Sequence, residues 1–317
     1  MRPSSTLTQV RGVSVGHAED PDQRTGVTVL LFDEAAPTVV DVRGGASCTY
    51  DTSSLAVEAT FGRRWGLFFT GGSIYGLDAA RGVRNRILEM GRGHTVFGSS
   101  FPIAPVSGAA LFDLPEKMGP IPDYLPLGYE AARSATRAPV RQGSVGAGAG
   151  ALVGKYRGRA HAMRGGVGSS AGSLPGQGSL GVLVVLNSVG AIREPESGRW
   201  LAGSRDRAGK IVPPSSRRSL ARAPRSIDHG TSLAALVVDQ PLSRPELFRL
   251  AVMAQAALAR SVQPTNTPGE GDLVFASCTQ ESNRGTSASP EAVYRMGLLA
   301  MELVTAAVRG AVAQSPP

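Results

Sequence analysis

Asp228-His229-Gly230-Thr231-Ser232-Leu233-Ala234-Ala235-Leu236-Val237-Val238 joins two unlike kinds of sequence. Upstream, residues 193–228 hold nine Lys/Arg against four Asp/Glu, so +5 of the formal charge of +8 sits in one stretch. That stretch is rich in Pro, Ser and Gly and has neither a helical nor a strand period, which reads as a flexible basic connector at about 193–230. Downstream, residues 232–238 form an unbroken apolar run, the pattern of a strand buried on both faces. A hydroxyl residue therefore opens a buried strand at the point where a loop ends.

Working outward, Ser243-Arg244-Pro245-Glu246 is a capping box with Pro in the first turn, and it predicts a helix that continues through ELFRLAVMAQAALARSV. DLVFA (272–276) is a second buried strand, and Ser289-Pro290-Glu291 starts a final amphipathic helix carrying Met296, Leu299, Met301, Leu303 and Val304. Toward the N-terminus, GVTVLLFD (26–33) and TVVDVRG (38–44) read as two strands of a hairpin turning at Glu34-Ala35-Ala36-Pro37. Helical spacing follows at 52–63 and at 74–90, then strands at 110–114, 150–156 and 180–190. Strands and helices come in blocks instead of strict alternation. This favours an α/β (α+β) architecture of layered sheets with helices outside over a doubly wound parallel sheet.

Composition narrows the function. The chain has 317 residues, 40 of them Gly, only 18% charged, with two Cys and four His. The Gly content is well above the usual ~7%, which points to tight turns and close backbone packing. Cys48 and Cys278 are isolated from each other and from His, so neither a disulfide framework nor a zinc site is expected, and the thiols suit a cytoplasmic protein. The first twenty residues lack the apolar core of a signal peptide, and no run approaches the ~18–20 apolar residues of a membrane span. The excess charge lies in the connector, so neither nucleic acid nor membrane is expected as a partner.

Two Gly-rich motifs invite enzymatic readings and fail them. Gly168-Ser169-Ser170-Ala171-Gly172 matches the nucleophile elbow, but its flanks predict neither the strand before nor the helix after the Ser, and a Gly-rich turn lining a pocket is the preferred reading. Residues 144–150, SVGAGAG, lack the Gly-Lys-Ser/Thr ending of a phosphate loop; close backbone packing is their expected use.

The Gly230-Thr231 junction carries chemistry of its own. A Thr hydroxyl can attack the carbonyl before it, giving an ester that water opens, and Gly in front leaves the backbone free to adopt the geometry this needs. The product is an N-terminal Thr whose α-amine, with a reference pKa of about 7.7–8.0, serves as base for its own hydroxyl. A plain loop-to-strand junction explains the same residues locally. Three neighbours add to the case: Asn187 at a strand end as an oxyanion donor, Lys155 as a lone cation in an apolar strand, and Glu270 with Asp272 as a carboxylate pair able to orient the amine.

At these residues the chain resembles the DmpA-like, or P1, family of self-cleaving N-terminal-nucleophile peptidases. The resemblance spans nearly the whole sequence: GVTVLLFD with DVRGGA, GGSIYGLDAARGV, PIAPVSGAALFDL, VGAGAGALVGK, GGVGSSAG, VVLNSVGAIREPESG, GTSLAALVVDQPL and TPGEGDLVFA occur in order. It implies a single-domain four-layer αββα sandwich, cut into residues 1–230 and 231–317. By motif, Thr231 matches the nucleophile, Asn187 the oxyanion-hole Asn, Lys155 the strand Lys, and Glu270 with Asp272 the supporting pair. Tyr75 resembles pocket lining, Phe112 stands where some members have Tyr, and Ser232 is the alternative nucleophile. Glu270 stands where relatives have a shorter Asp or Ser, an added methylene that shifts the carboxylate. The resemblance further implies hydrolysis of small peptides, amides or esters without metal or organic cofactor, in a homo-oligomer of processed units. Two alternatives stay open: acyl transfer of the ornithine acetyltransferase type on the same architecture, and an unprocessed binding protein that keeps the fold.

Overall fold

Apolar residues fill both parities of Thr25–Val42, and in the computed structural model this segment is one 18-residue strand, β2. The structure describes residues 5–96, 98–116, 119–174, 176, 178–214, 229–280 and 288–313. Val27, Val29 and Leu31 face one core while Leu30 and Phe32 face another. The hairpin expected at 34–37 is instead an irregularity in a continuing strand: the pairing moves from Leu31 opposite Gly66 to Ala36 opposite Arg64. The segment has no Gly or Asn to supply the positive φ of a tight hairpin turn. Each half of β2 also has its own partner, so reversal gains nothing.

The other strands are β1 (Val13–Asp20), β3 (Cys48–Tyr50), β4 (Arg63–Thr70), β5 (Val106–Ala110), β6 (Leu152–Val153), β7 (Met163–Arg164), β8 (Gly166–Ser173), β9 (Ser179–Asn187), β10 (Ala191–Arg193), β11 (Trp200–Ala202), β12 (Thr231–Val238), β13 (Val262–Gln263) and β14 (Leu273–Cys278). The main sheet runs β3-β5-β4-β2-β14-β12-β9-β8, with β1 also on β2. The helices are α1 (Ala79–Glu89), α2 (Tyr124–Arg133), α3 (Arg244–Ser261) and α4 (Pro290–Ala313). Leu30, Phe69, Val185, Leu233 and Phe275 meet in a central core between the two halves of the sheet. Alternate residues face outward, Val29 and Phe68 to α1 and α2, Val184 and Leu236 to α3 and α4. This is the four-layer αββα sandwich, in one domain, with β2 running from one inner layer to the other.

Several expected elements shift. Residues 52–63 form only a short 3-10 turn (Ser53–Leu55), because Arg244 of α3 donates to the carbonyls of Leu55 (3.0 Å), Ala56 (2.6 Å) and Ala59 and so takes acceptors a helix would use. The strand expected at 150–156 stops at Val153, since Gly154 adopts φ 78° and starts a 3-10 turn over Lys155–Arg157. The strand expected at 110–114 lies earlier, and Phe112 and Asp113 follow its end. Where flexible connector was expected from residue 193 on, β10 and β11 pair antiparallel, with the Arg193 guanidinium 5.8 Å from the centre of the Trp200 ring. Residues 215–228 of the connector lie outside the described residues.

The Gly168 segment is not a pocket turn. It is β8, at one end of the sheet, and a Cβ on Gly168 would lie 1.9 Å from the carbonyl oxygen of Ala307, so the bare glycine lets α4 rest directly on the strand. Gly168→Ala is expected to destabilise the fold by about 3 kcal/mol, because a backbone oxygen cannot move aside. Urea denaturation checks this, and an unchanged midpoint would show that α4 can lift from β8 at no cost. Contrary to the expectation from sequence, α4 does reach the range of a membrane span by length and hydropathy; half of its apolar stretch is buried, with Ala300, Val304, Ala307 and Ala311 against the sheet layer.

Candidate active site

Thr231 is the first residue of β12 and pairs with Asn187, the last residue of β9. Register thus brings together two residues 44 positions apart in sequence. The chain is continuous here, and the bond between Gly230 and Thr231 is held in a defined pose. Thr231 is only 4% exposed, and its Oγ1 donates to the carbonyl oxygen of Gly230 at 2.5 Å. The same oxygen accepts from the Gly271 N–H at 3.0 Å. The hydroxyl thus lies beside the carbonyl it would attack, and a backbone donor already polarises that carbonyl.

Gly230 is required by space and not, as the sequence suggested, by a strained backbone: it is absent from the positive-φ glycines. A Cβ there would lie 2.5 Å from the Val189 nitrogen and 3.0 Å from Glu270 Oε1.

The supporting residues divide the work differently from a simple pair around the nucleophile. Glu270 is fully buried; its Oε1 accepts from the Val189 N–H at 3.0 Å and its Oε2 from the Thr267 N–H at 3.3 Å. Burial, followed by the nearby Asp272 carboxylate, pushes its pKa up from 4.5 to about 7. Asp272 holds the strand: Oδ1 accepts from the Ser232 N–H at 2.6 Å, Oδ2 from Thr265 Oγ1 at 2.6 Å and the Asn266 N–H at 2.8 Å. Neither carboxylate hydrogen-bonds to Thr231 in the continuous chain.

The raised Glu270 pKa makes a stability prediction. Between about 4.5 and 7 the folded carboxyl keeps a proton that the unfolded one has released, so stability falls as pH rises through this window. The loss is at most about 3 kcal/mol. It is measured by urea melts at either end of the window in a Thr231→Ala background, which keeps the chain uncut. Adding Glu270→Gln should flatten the dependence, and an unchanged slope would assign it to other groups.

Lys155 is a buried cation, 1% exposed, on the turn after β6. Its Nζ donates to the main-chain oxygen of Asn187 at 2.6 Å and to Oδ1 of the same residue at 3.2 Å. Asn187 is the hub: Oδ1 also accepts from the Leu152 N–H (3.0 Å), and Nδ2 donates to the Phe112 carbonyl (2.9 Å). In the uncut chain the amide thus spends its donor on backbone.

A cavity of about 220 Å³ opens beside the junction, lined by Ala46, Cys48, Ser73, Ala110, Phe112, His229, Gly230, Thr231 and Gly269. The Phe112 ring lies 5.1 Å from the His229 ring, and the Arg159 guanidinium lies 5.8 Å from its centre. Tyr75 is not among the lining residues: it is 45% exposed, and Ser73 of the same 3-10 turn takes the place expected for it. Ser232 is fully buried away from the cavity, which disfavours it as the alternative nucleophile. Cys48, Val189, Gly269 and Gly271 are not among the site residues expected from the sequence. Val189, Gly269 and Gly271 act through backbone groups, which leave no mark on residue type, and Cys48 reaches the cavity only through the pairing of β3 with β5.

Two sheet layers faced with helices on both sides define a class of fold. The fold is that of an N-terminal-nucleophile hydrolase: the chain is similar to the solved L-aminopeptidase D-Ala-esterase/amidase of Ochrobactrum anthropi, described as a variant of that fold (TM-score 0.69, 19% identity, 98% of this chain and 86% of that one). A Burkholderia sp. beta-aminopeptidase is similar as well (TM-score 0.64, 22% identity, 97% and 86%). Residues 5–316 match Peptidase family S58, and the chain belongs to that family of hydrolases. Relatives include an uncharacterized aminopeptidase of Mycobacterium tuberculosis, 33% identical over 99% of this chain and 95% of its own length. The 6-aminohexanoate-oligomer endohydrolase of Kocuria sp. is 28% identical over 87% and 75%.

Proposed function

We propose that this protein is a self-processing amide hydrolase of the aminopeptidase/amidase class, with Thr231 as nucleophile. The observation that carries the reading is the pose of Thr231 Oγ1, 2.5 Å from the carbonyl oxygen of Gly230 while Gly271 N–H donates to that oxygen from 3.0 Å. In the first reaction Oγ1 adds to the Gly230 carbonyl carbon and the C–N bond breaks. The Oγ1 proton passes to the departing nitrogen by way of the buried Glu270 carboxyl group, which ends in its starting state. Water then hydrolyses the ester and leaves residues 1–230 and 231–317.

In the second reaction the freed α-amine of Thr231 takes the Oγ1 proton as the hydroxyl attacks a substrate carbonyl, returns it to the leaving group as that bond breaks, and water then hydrolyses the acyl ester to restore Thr231. Asn187 supplies a donor to the oxyanion once its Nδ2 turns from Phe112, and Lys155 holds Asn187 in place. Asp272 positions the strand through Ser232. The family and the names of its members support small peptides, amides or esters as substrates. An assembly of processed units in the cytoplasm completes the reading.

The test is N-terminal sequencing of the purified, folded protein together with an assay on short amides. The expected result is a second N-terminus beginning Thr231-Ser232-Leu233 and hydrolysis by the cut form. A single N-terminus in folded protein would overturn self-processing.

A further inference from the structure

Asp113 is a buried carboxylate to which neither reaction assigns a step. It is fully buried just beyond the end of β5; its Oδ1 accepts from the Gly72 N–H at 2.7 Å and its Oδ2 from Thr25 Oγ1 at 3.1 Å. Thr25 Oγ1 gives its one hydrogen to the carboxylate, so the Tyr124 hydroxyl, 2.9 Å away, is the donor to Thr25. Burial, followed by the nearby Asp113 carboxylate, pushes the Tyr124 pKa up and keeps the phenol in its donating form. Backbone closes around the group: a Cβ on Gly150 would lie 2.8 Å from Oδ2, and one on Gly71 closer still.

The segment so anchored is three residues long. Leu111 is held by its own backbone, with its N–H on the Thr70 carbonyl at 2.9 Å and its carbonyl accepting from the Ser73 N–H at 3.0 Å. Asp113 is held by its side chain. Phe112 lies between these two clamps, and its carbonyl is the acceptor for Asn187 Nδ2 at 2.9 Å. Leu152 and Lys155 fix the oxygen end of the Asn187 amide, so the Phe112 carbonyl fixes the nitrogen end.

We propose that Asp113 is a positioning residue for the hydrolytic reaction: through the Phe112 carbonyl it sets where the Nδ2 donor of Asn187 stands beside Thr231. The inference rests on Asn187 being the oxyanion donor of that reaction. Self-cleavage makes a different demand, because there the Gly271 N–H already holds the Gly230 oxygen and Nδ2 stays on Phe112. Loss of the anchor therefore slows hydrolysis and spares cutting, whereas a general loosening of the fold slows both.

The experiment measures both reactions in Asp113→Ala: self-cleavage by mass, and turnover of a short p-nitroanilide per Thr231 N-terminus formed. The variant should cut within about threefold of the wild-type rate. Its kcat should fall by about 10- to 100-fold with KM nearly unchanged, the range that a small misplacement of a reacting group produces. Asp113→Asn should recover most of this loss, since its amide oxygen still accepts from the Gly72 N–H and its Nδ2 donates to Thr25, which then donates to Tyr124. Wild-type kcat in Asp113→Ala, equal losses in cutting and hydrolysis, or no recovery in Asp113→Asn would each overturn the proposal and leave Thr231 in its role. Where Asp113→Ala does not fold, Thr25→Val decides: it removes one anchor and should cost about three- to tenfold in kcat with normal cutting, and an unchanged kcat overturns the proposal. A folded wild type that neither cuts nor hydrolyses would overturn the catalytic reading itself.

Discussion

Thr231→Ala is expected to leave the purified protein as one chain of 32.8 kDa, while the wild type separates under denaturing conditions into pieces of about 24 and 9 kDa by proportional division. The effect is all or none, because among the described residues the hydroxyl is the only group in hydrogen-bond contact with the Gly230 carbonyl that can form a bond to its carbon; the other contact there is the Gly271 N–H. Thr231→Ser keeps the oxygen and is expected to cut, with a rate that reports how far the methyl group fixes the rotamer aimed at Gly230. Hydrolysis of amides should vanish with the alanine variant for a second reason, since neither the hydroxyl nor the free amine is then produced. Cutting between 230 and 231 in the alanine variant would move the reaction to a different nucleophile or to a contaminating protease.

The second large effect concerns Asn187. Its Oδ1 holds Leu152 and Lys155 while its Nδ2 bonds the Phe112 carbonyl, so in the proposed mechanism a single residue both builds the site and supplies the oxyanion donor. Asn187→Ala removes both roles. Asn187→Asp separates them: the carboxylate still accepts from the Leu152 N–H and the Lys155 ammonium, but the donor is gone. We expect Asn187→Asp to keep the fold with some loss of stability, because its second oxygen faces the Phe112 carbonyl, and to lose about 100- to 1000-fold in kcat, the usual cost of one oxyanion donor. Activity retained in Asn187→Asp would reduce Asn187 to a scaffold and leave the role to backbone N–H groups.

Residues whose importance lies in their side chains were legible in the sequence, and those that act through backbone or register were not. Thr231 stood out because a hydroxyl opened a buried strand, and the capping box at Ser243 fixed the start of α3 to the residue. The split of labour between Glu270 and Asp272 was hidden, because a spacing of two residues says both project from one turn and nothing of which N–H groups they meet. The turn expected in the middle of β2 failed for a related reason: Pro37 looks like a reversal locally, yet β14 offers the second half of the strand a partner some 235 residues away. Gly271 contributes an N–H that any residue but proline would carry.

The place of β12 in the sheet decides what becomes of the two pieces. β12 lies between β9 of the first piece and its own neighbour β14, and β14 in turn lies against β2 of the first piece. The short piece is threaded through the long one on two sides. Severing one peptide bond at the head of β12, as proposed, removes none of these ladders, so the products are expected to stay as an interlocked pair through dilution and gel filtration. Breaking the backbone is then a chemical event with little mechanical consequence: it creates an amine and leaves the frame standing.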